Sequence, residues 1–457
     1  MKNKLLTNFA YTILFTIYAV SPAIGANIVY PKSDCVTINS PETFFIGNEN
    51  FGTSLKINDE LVDIHESGGF WHTVKLDYGE NIFNIDNGKS VKTFKIFREL
   101  PTAVNTDNKN NFNTYKQPVY IQISKDATPL RSTPIDAGMN RLQHFAKGMK
   151  FQAIGEINNF YKVKLARDDY GYIAKTSTNT INIKNLSPSK IQTFAYSEDT
   201  HHRVFKLKLD KPAPYILSEN NGLDLVVYNI DGYLYNKYEF HINQTGKMYG
   251  YKSYYTEENE LTIEVYNEPH TTSAHPLKNI TITIDPGHGG NEFGAIGCLG
   301  DNEKDINLSI AKILENKLKE AGAIVNMTRN DDTDVSLQDR VRIANEHGTQ
   351  IFLSIHNNAL PDSLAHLKSS GTEIYYYYPQ SKDLAHSLSD SITKYTGTKN
   401  NGVKQQSFAV IRNTQCLSVL IELAYIINPE DNAKLIDRDF QEKAADAIVK
   451  GLEIYLK

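Results

Sequence analysis

The sequence predicts a multidomain protein in which all-β modules precede a C-terminal α/β domain with a largely parallel sheet flanked by helices. The chain has 457 residues, which is too long for one ordinary core. Short runs of alternating apolar and polar residues, separated by turn residues, continue to about residue 266. After about residue 278 the pattern changes, and apolar strands alternate with segments of helical periodicity. This alternation is typical of a sheet whose strands are joined through helices.

Residues 1–26 predict a cleaved signal peptide. Two lysines precede an apolar run, 9–20, that is too short to span a bilayer comfortably. Ala23 and Gly25 then give the small-x-small pattern of a signal peptidase site. An uncleaved membrane anchor is the alternative. We expect a secreted protein with no stable membrane anchor after cleavage, either periplasmic or extracellular.

Charge and cysteine content exclude some classes of protein. The net charge is only -5, so nothing indicates a nucleic-acid partner. Three cysteines, Cys35, Cys298 and Cys416, are too few and odd in number for a disulfide framework. A bridge between Cys298 and Cys416 stays open, although buried free thiols are the favoured interpretation.

Residues 27–100 predict a first module that resembles small immunoglobulin-like sandwiches. The resemblance is carried by the phrase at 56–62, by Phe70 and by the turn at 79–81. Residues 101–117 are rich in Asn, Asp, Lys and Thr. Because such a segment has little apolar surface to offset the entropy of ordering it, we predict a polar linker there.

Two further β-rich modules are predicted before the C-terminal domain. Residues 118–185 resemble a bacterial SH3-like barrel, and the phrases that carry this resemblance are 127–132, 147–150, 160–163 and 171–174. Residues 186–270 contain more alternating strands, for example at 204–209 and 261–265.

Residues 278–457 predict the α/β domain. The first strand is 280–284, and Ile306, Ile310, Ile313 and Leu314 mark a helix that ends at Gly322. The further strands are predicted at 323–328, 351–355, 373–377 and 419–423, and the further helices at 337–346, 384–395 and 440–455.

Four ionisable residues lie where such a sheet gathers functional groups, beyond the carboxyl ends of its strands. His288 follows the first strand, Glu303 precedes the first helix, His356 ends a strand and Glu422 lies inside an apolar strand. Two imidazoles and one carboxylate are a typical catalytic zinc set, since three protein ligands leave the fourth position for water. That water becomes acidic enough to attack near neutral pH, and a second carboxylate can take its proton.

Each residue also has an ordinary explanation. A lone histidine at a strand end is more often a hydrogen-bonded structural residue, and Glu303 alone could simply favour a helix N-terminus. Glu422 is harder to explain in this way, because burying a carboxylate in an apolar strand is costly unless it is paired or functional. The four residues together favour the functional interpretation.

The C-terminal domain resembles the zinc-dependent N-acetylmuramoyl-L-alanine amidases of the amidase type 3 family. The phrases that carry the resemblance include Asp285-Pro286-Gly287-His288-Gly289-Gly290, Glu303-Lys304, Ser354-Ile355-His356-Asn357-Asn358, Val410-Ile411-Arg412 and Asn428-Pro429-Glu430-Asp431. The resemblance implies one zinc ion held by His288, Glu303 and His356, with Glu422 as general base. Residues 186–270 resemble the β-rich targeting domain that precedes some bacterial amidases.

The implied function is hydrolysis of the amide between N-acetylmuramic acid and L-alanine in peptidoglycan, for cell-wall remodelling or daughter-cell separation. One alternative is a zinc peptidase or amidase that cuts another bond of the same polymer, and a second is a non-catalytic wall-binding regulator. The expected partner is peptidoglycan, with cell-wall targeting through the N-terminal modules. For the SH3-like module, a packed barrel without a ligand is an equal alternative.

Overall fold

Two small sheets form the first module, because apolar side chains on their inner faces meet between them. The computed structural model describes residues 25–100, 112–243 and 246–457, so the predicted signal peptide lies outside the described residues except for Gly25 and Ala26. The sheets have the strand orders β1-β3-β6 and β2-β8-β7-β4-β5. These strands are β1 (Asn27–Tyr30), β2 (Cys35–Thr37), β3 (Glu42–Asn48), β4 (Lys56–Ile57), β5 (Glu60–Leu61), β6 (Gly69–Lys75), β7 (Gly79–Asp86) and β8 (Val91–Arg98).

An antiparallel sheet of order β11-β10-β14-β13-β12-β9-β15 forms the second module. Its strands are β9 (Asn113–Ile123), β10 (Thr128–Arg131), β11 (Arg141–Phe145), β12 (Lys150–Ile157), β13 (Phe160–Lys164), β14 (Tyr170–Ala174) and β15 (Thr178–Ile181).

The structure corrects the end of the predicted linker, 101–117. Residues 101–111 lie outside the described residues, but β9 begins at Asn113 and pairs with β12. Tyr115 donates a hydrogen bond to Glu156 of β12 at 2.7 Å, which anchors this polar stretch to the sheet. Amino-acid composition did not predict this strand, because backbone pairing with a neighbouring strand can order a segment that has little apolar surface of its own.

The third module again contains two sheets, of order β16-β17-β22-β21 and β18-β19-β20. Its strands are β16 (Ile191–Glu198), β17 (His202–Leu209), β18 (Tyr215–Glu219), β19 (Gly222–Tyr228), β20 (Lys237–Asn243), β21 (Tyr251–Tyr255) and β22 (Glu260–Tyr266). Its core is continuous with that of the second module, and the rings of Phe145 and Tyr215 meet edge to face at 5.9 Å.

The C-terminal domain is a sheet of order β24-β23-β25-β28-β26-β27. Its pairings are parallel except for that between β26 and β28. The strands are β23 (Thr281–Pro286), β24 (Ile324–Met327), β25 (Ile351–Asn358), β26 (Thr372–Tyr376), β27 (Asn400–Gln405) and β28 (Leu417–Tyr425), and the helices are α1 (Glu303–Glu320), α2 (Leu337–Glu346), α3 (Lys382–Thr396), α4 (Pro429–Ile436) and α5 (Arg438–Tyr455).

Helices cover both faces of this sheet. Successive residues of a strand point to opposite sides, so apolar residues on both faces need a covering layer. Leu353 of β25 belongs to the apolar cluster that includes residues of α1, α3 and α5, whereas its neighbour Phe352 packs with Ala344 of α2. Cys298 and Cys416 are buried and free, which confirms the favoured interpretation of the cysteines. Across the described ranges, no helix is both long enough and apolar enough to cross a bilayer.

The first module packs directly on the C-terminal domain. Phe44 and Trp71 belong to the same apolar cluster as the sheet and helices of that domain. The hydroxyl of Tyr30 donates to Asp362 at 2.9 Å, and that of Thr73 donates to the Ala365 carbonyl at 3.0 Å. Both acceptors lie in the short 3-10 helix Asp362–Leu367, which follows β25. The loop after β25 is therefore part of the interface between the first module and the C-terminal domain.

The third module contacts the C-terminal domain through a buried carboxyl group. Glu219 at the end of β18 accepts a hydrogen bond from the backbone N–H of Gln380 at 2.6 Å, and its other oxygen is buried. Burial raises the pKa of Glu219 to about 7. The carboxylate therefore destabilises the folded protein at pH values above 7, and this penalty is lost as the pH falls from about 7 toward the ordinary value of 4.5.

We expect Glu219→Gln to stabilise the protein at pH 8 by about 1 to 3 kcal/mol, since each unit of pKa shift corresponds to about 1.4 kcal/mol. Thermal unfolding at pH 8 and pH 5 measures this effect, and the gain should shrink at pH 5. Glu257→Gln, at an exposed position of the same module, is the control and should change neither midpoint. An equal gain at both pH values would contradict the assigned cause.

Candidate active site

The carboxyl ends of three adjacent strands bring the predicted site residues together. β23 ends two residues before His288, and His356 lies near the end of β25. Glu422 of β28 is directly opposite His356 in the strand register. Glu303 is the first residue of α1, so its carboxylate lies at a helix N-terminus, where negative charge is favoured.

His288, Glu303 and His356 converge on one point. One ligand atom from each residue can be chosen so that all three lie within 4.8 Å of one another. The Nε2 atom of His288 is 3.1 Å from Oε2 of Glu303, and Nδ1 of His356 is 2.9 Å from Oε1. Two imidazole nitrogens and a carboxylate are suitable ligands for zinc, and their spacing fits a single ion.

The carboxylate of Glu303 is held on both oxygens. Oε2 accepts a hydrogen bond from the backbone N–H of Ala295 at 2.9 Å, and Oε1 accepts one from the backbone N–H of Asn357 at 3.1 Å. Burial opposes the charged form, but hydrogen bonding from His288 and His356 outweighs it and keeps the pKa of Glu303 below its ordinary value. Glu303 is therefore an ionised ligand candidate in a fixed orientation.

Two glycines leave the space that this convergence needs. A Cβ on Gly287 would lie 2.2 Å from the ring of His356, and one on Gly294 would lie 2.5 Å from the carboxylate of Glu303. Gly294 also has a φ of +71°, which other residues rarely adopt. Any side chain at either position would displace a proposed ligand.

Glu422 has a free carboxylate oxygen. Its Oε2 is buried and has no hydrogen-bond partner among the described residues. Burial, followed by the negative charges of Glu303 and Glu373, raises the pKa of Glu422 well above its ordinary value. A carboxylate that binds a proton readily, next to a metal-ligand set, has the properties of a general base.

Glu373 is a second buried carboxylate at this edge of the sheet. It lies opposite Glu422 in the pairing of β26 with β28. It accepts hydrogen bonds from Lys404 at 2.7 Å and from Tyr425 at 2.8 Å, and also from Tyr375. Burial would raise the pKa of Glu373, but these donors outweigh it and lower the pKa. Glu373 is thus ionised and fully engaged, whereas Glu422 is free to take a proton.

Buried arginines hold the loop that carries His288. This histidine has a φ of +60°, a strained conformation for a residue with a side chain. Arg340 of α2 donates to the carbonyls of His288 and Pro286, both at 2.8 Å, and pairs with the buried Asp285 at 2.7 Å. Arg329 donates to the Gly287 carbonyl at 3.0 Å. These bonds fix a loop that would not keep this shape by itself.

We expect Arg340→Met to lower the free energy of unfolding by about 3 to 5 kcal/mol, because it leaves the Asp285 carboxylate buried without its cation. Arg342→Met on the same helix is the control. Arg342 is exposed and pairs with Asp339 and Glu346 at the surface, so its loss should cost less than about 1 kcal/mol. Denaturant unfolding of both variants measures the difference, and similar losses would contradict the role given to Arg340.

A cavity of about 890 Å³ opens onto the site. His288, His356 and Glu422 form part of its wall. The rest is partly apolar, with Leu337, Phe408, Val410 and Leu420 among its lining residues. This volume is sufficient for a ligand larger than a single amino acid or sugar.

The structure brings together all four residues that the sequence singled out, His288, Glu303, His356 and Glu422. It also shows supporting residues to which the sequence analysis gave no role: Arg329, Arg340, Asp285 and Glu373. A signal for Glu373 was present, since it is a carboxylate at the start of an apolar and aromatic strand, the same signal that identified Glu422. The arginines gave no such signal, because the Asp285 carboxylate and the backbone carbonyls at 286–288 to which they donate are far away in sequence.

Comparison with known proteins finds relatives of the C-terminal domain. Residues 282–454 match the model of the amidase type 3 family, described as N-acetylmuramoyl-L-alanine amidase. The chain is 40% identical over 191 residues to the uncharacterized protein YqiI of Bacillus subtilis, a match that includes 41% of this chain and 90% of YqiI.

It is also 40% identical over 187 residues to the probable cell wall amidase LytH of Staphylococcus aureus, a match over 40% of this chain and 61% of LytH. Among solved structures, N-acetylmuramoyl-L-alanine amidase AmiC2 of Nostoc punctiforme is 34% identical with a TM-score of 0.37, over 41% of this chain and 99% of that one. Through its C-terminal domain, this chain belongs to the amidase type 3 family of N-acetylmuramoyl-L-alanine amidases.

Proposed function

We propose that this chain is a zinc-dependent N-acetylmuramoyl-L-alanine amidase that cleaves the amide between N-acetylmuramic acid and L-alanine in peptidoglycan. The observation that carries the proposal is the convergence of His288, Glu303 and His356 within 4.8 Å, beside the unpartnered carboxylate of Glu422. A family member that had lost catalysis would be expected to lack at least one of these four groups.

His288, Glu303 and His356 would hold the zinc ion. When bound, zinc lowers the pKa of a water molecule to about 7 and polarises the carbonyl of the substrate. The hydrogen bonds to Glu303 from the Ala295 and Asn357 amides keep its carboxylate ionised and oriented. The loop around His288 is kept in place by Arg340, so that the ligands need not reorganise.

Glu422 moves the proton in this proposal. Its carboxylate accepts the proton of the attacking water and then delivers it to the departing nitrogen of L-alanine. A raised pKa favours the first half of this transfer, the uptake of the proton from water, and the basic nitrogen of the departing amine draws the proton in the second half. Glu373 keeps its negative charge beside Glu422 and so contributes to that proton affinity.

Digestion of purified peptidoglycan by the full chain tests the proposal. We expect released peptides that begin with L-alanine, identified by mass spectrometry, and one zinc ion per chain by elemental analysis. Peptides that begin elsewhere would identify a peptidase or amidase acting on another bond. Sedimentation of the protein with cell walls that are never solubilised would identify a wall-binding regulator.

We extend the proposal to location and targeting. The protein would be secreted and act at the cell wall, with the signal peptide at 1–26 removed. The SH3-like module at 118–185 and the β-rich module at 186–270 would direct it to its polymer. Loss of wall binding after deletion of residues 118–270, measured by sedimentation, is the expected result.

A further inference from the structure

A second cavity lies where the second module meets the C-terminal domain. Its volume is about 440 Å³. It adjoins the active-site cavity, since Ala409 lines both and the neighbouring residues Leu337 and Gln338 of α2 line one each. The hydroxyl of Tyr377 donates to the Gly138 carbonyl at 3.4 Å across the same interface. The two cavities are therefore neighbours at the N-terminal end of α2.

The charged side chains that line this cavity are all basic or imidazole groups. Arg141 and His144 come from β11 of the second module, Arg412 from the C-terminal domain and Lys252 from the third module. Lys252 is paired with Glu264 at 3.0 Å. No carboxylate is among the described lining residues.

The two arginines lack the partners that buried cations normally have. The Nε atom of Arg141 is buried without a hydrogen-bond acceptor among the described residues, and its Nη1 is 3.3 Å from the ring of His144. Arg412 donates to the carbonyl and hydroxyl oxygens of Ser407, at 2.9 and 3.1 Å. Neither arginine forms an ion pair within the described part of the chain.

Neighbouring charge increases this imbalance. Burial, and then the charges of Arg141, Arg412 and Arg131, lower the pKa of His144 to about 4. Burial and the charge of Arg141 likewise lower the pKa of Arg412. Arg131 is buried nearby, and its own acidic partner, Asp136, is largely exposed. Partly buried guanidinium groups without a counter-ion are costly, and a bound anion would remove that cost.

We propose that this cavity is a substrate subsite in which Arg141 and Arg412 bind a free carboxylate of the peptidoglycan peptide stem while the scissile amide lies at Glu422. The inference rests on the proposed function and names the part of the substrate that the second module would recognise. A guanidinium group matches a carboxylate in shape and charge, since it offers paired N–H donors. The peptide stem supplies such groups, because its glutamate is linked through the side chain and keeps its α-carboxyl free unless it is amidated.

The subsite gives the second module a direct part in catalysis. One arginine comes from that module and the other from the C-terminal domain, so the site is complete only when both are docked. The module then contributes to the choice between stems with a free and an amidated glutamate.

Binding of two synthetic ligands tests the subsite. The ligands are muramoyl-L-alanyl-γ-D-glutamate and the same compound with its α-carboxyl converted to a carboxamide. The full chain carries Glu422→Gln so that neither is cleaved, and isothermal calorimetry measures both affinities. We expect the free carboxylate to bind at least about 10-fold more tightly, a difference of about 1.4 kcal/mol.

Arg141→Gln in the same background should abolish this discrimination and leave the affinity for the carboxamide unchanged, which also shows that the variant is folded. Arg141→Lys should restore part of it. Arg438→Gln removes an exposed arginine elsewhere on the C-terminal domain and should leave both affinities unchanged.

Three results would overturn the subsite. The Glu422→Gln chain with Arg141 intact could bind the two ligands with equal affinity, or Arg141→Gln could weaken the binding of both ligands to the same extent. Inorganic phosphate could instead bind in a manner that depends on Arg141 while the two muropeptides do not, which would identify a phosphate site.

The subsite and the hydrolytic proposal fail separately. Discrimination in binding without cleavage of either ligand by the chain with Glu422 intact would support the subsite and contradict the proposed reaction. Cleavage of both ligands with the same KM would support the reaction and contradict the subsite.

Discussion

Glu422→Gln should lower kcat by about 10²- to 10⁴-fold, the usual contribution of a general acid–base group. The amide keeps the shape of the side chain but cannot take the proton of the attacking water. Because Glu422 is not one of the converging ligand groups, zinc content should stay at the wild-type level. The rate is measured as the release of L-alanine N-termini from purified peptidoglycan, alongside elemental analysis.

The control for this variant is Glu320→Gln, at the exposed C-terminal end of α1. It removes the same charge from the same domain and should change neither rate nor zinc content. Turnover by Glu422→Gln within a few fold of wild type would show that another group transfers the proton. A parallel loss of zinc would instead place Glu422 among the ligands.

His356→Ala should abolish both zinc binding and activity. The substitution removes one of the two imidazoles from a set of three ligands, and two protein ligands do not make a typical zinc site. The carboxylate of Glu303 also loses the ring that lies 2.9 Å from Oε1. The zinc content measured by elemental analysis should fall from one ion per chain to close to none, and peptide release should fall below detection.

Two controls isolate the metal from the fold. His386→Ala, at an exposed position of α3, should retain full zinc content and activity. The wild-type protein treated with a chelator should lose activity and regain it when zinc is added. Recovery of activity by His356→Ala at high zinc concentration would be consistent with a weakened site, whereas full activity without zinc would contradict the whole assignment.

Local patterns in the sequence were sufficient for most of the C-terminal domain. The helix predicted at 337–346 coincides with α2, Leu337–Glu346, because Ser336 caps its N-terminus and apolar spacing defines its inner face. The strand predicted at 419–423 lies within β28, whose apolar run is typical of a strand covered on both faces. Such elements are determined by nearby residues, and the sequence displays those directly.

Elements that depend on distant partners were less predictable. β27 is short and polar, and it exists because it pairs with β26. α4 begins at Pro429, where the Asn428 side chain caps the helix, and the sequence shows its first residues only as part of a motif. The start of β9 within the predicted linker has the same cause, since its order comes from pairing with β12.

The sequence by itself identified the candidate site residues: two histidines, a glutamate at a helix start and a glutamate in an apolar strand. Glu422 stands out by itself, because a carboxylate is costly in an apolar strand unless it has a partner or a role, whereas the other three stand out only together with it. Only the tertiary structure decided how they are arranged, and which arginines and glycines surround them. Convergence depends on strand register and on packing between segments that are far apart in the chain, and no local pattern records either.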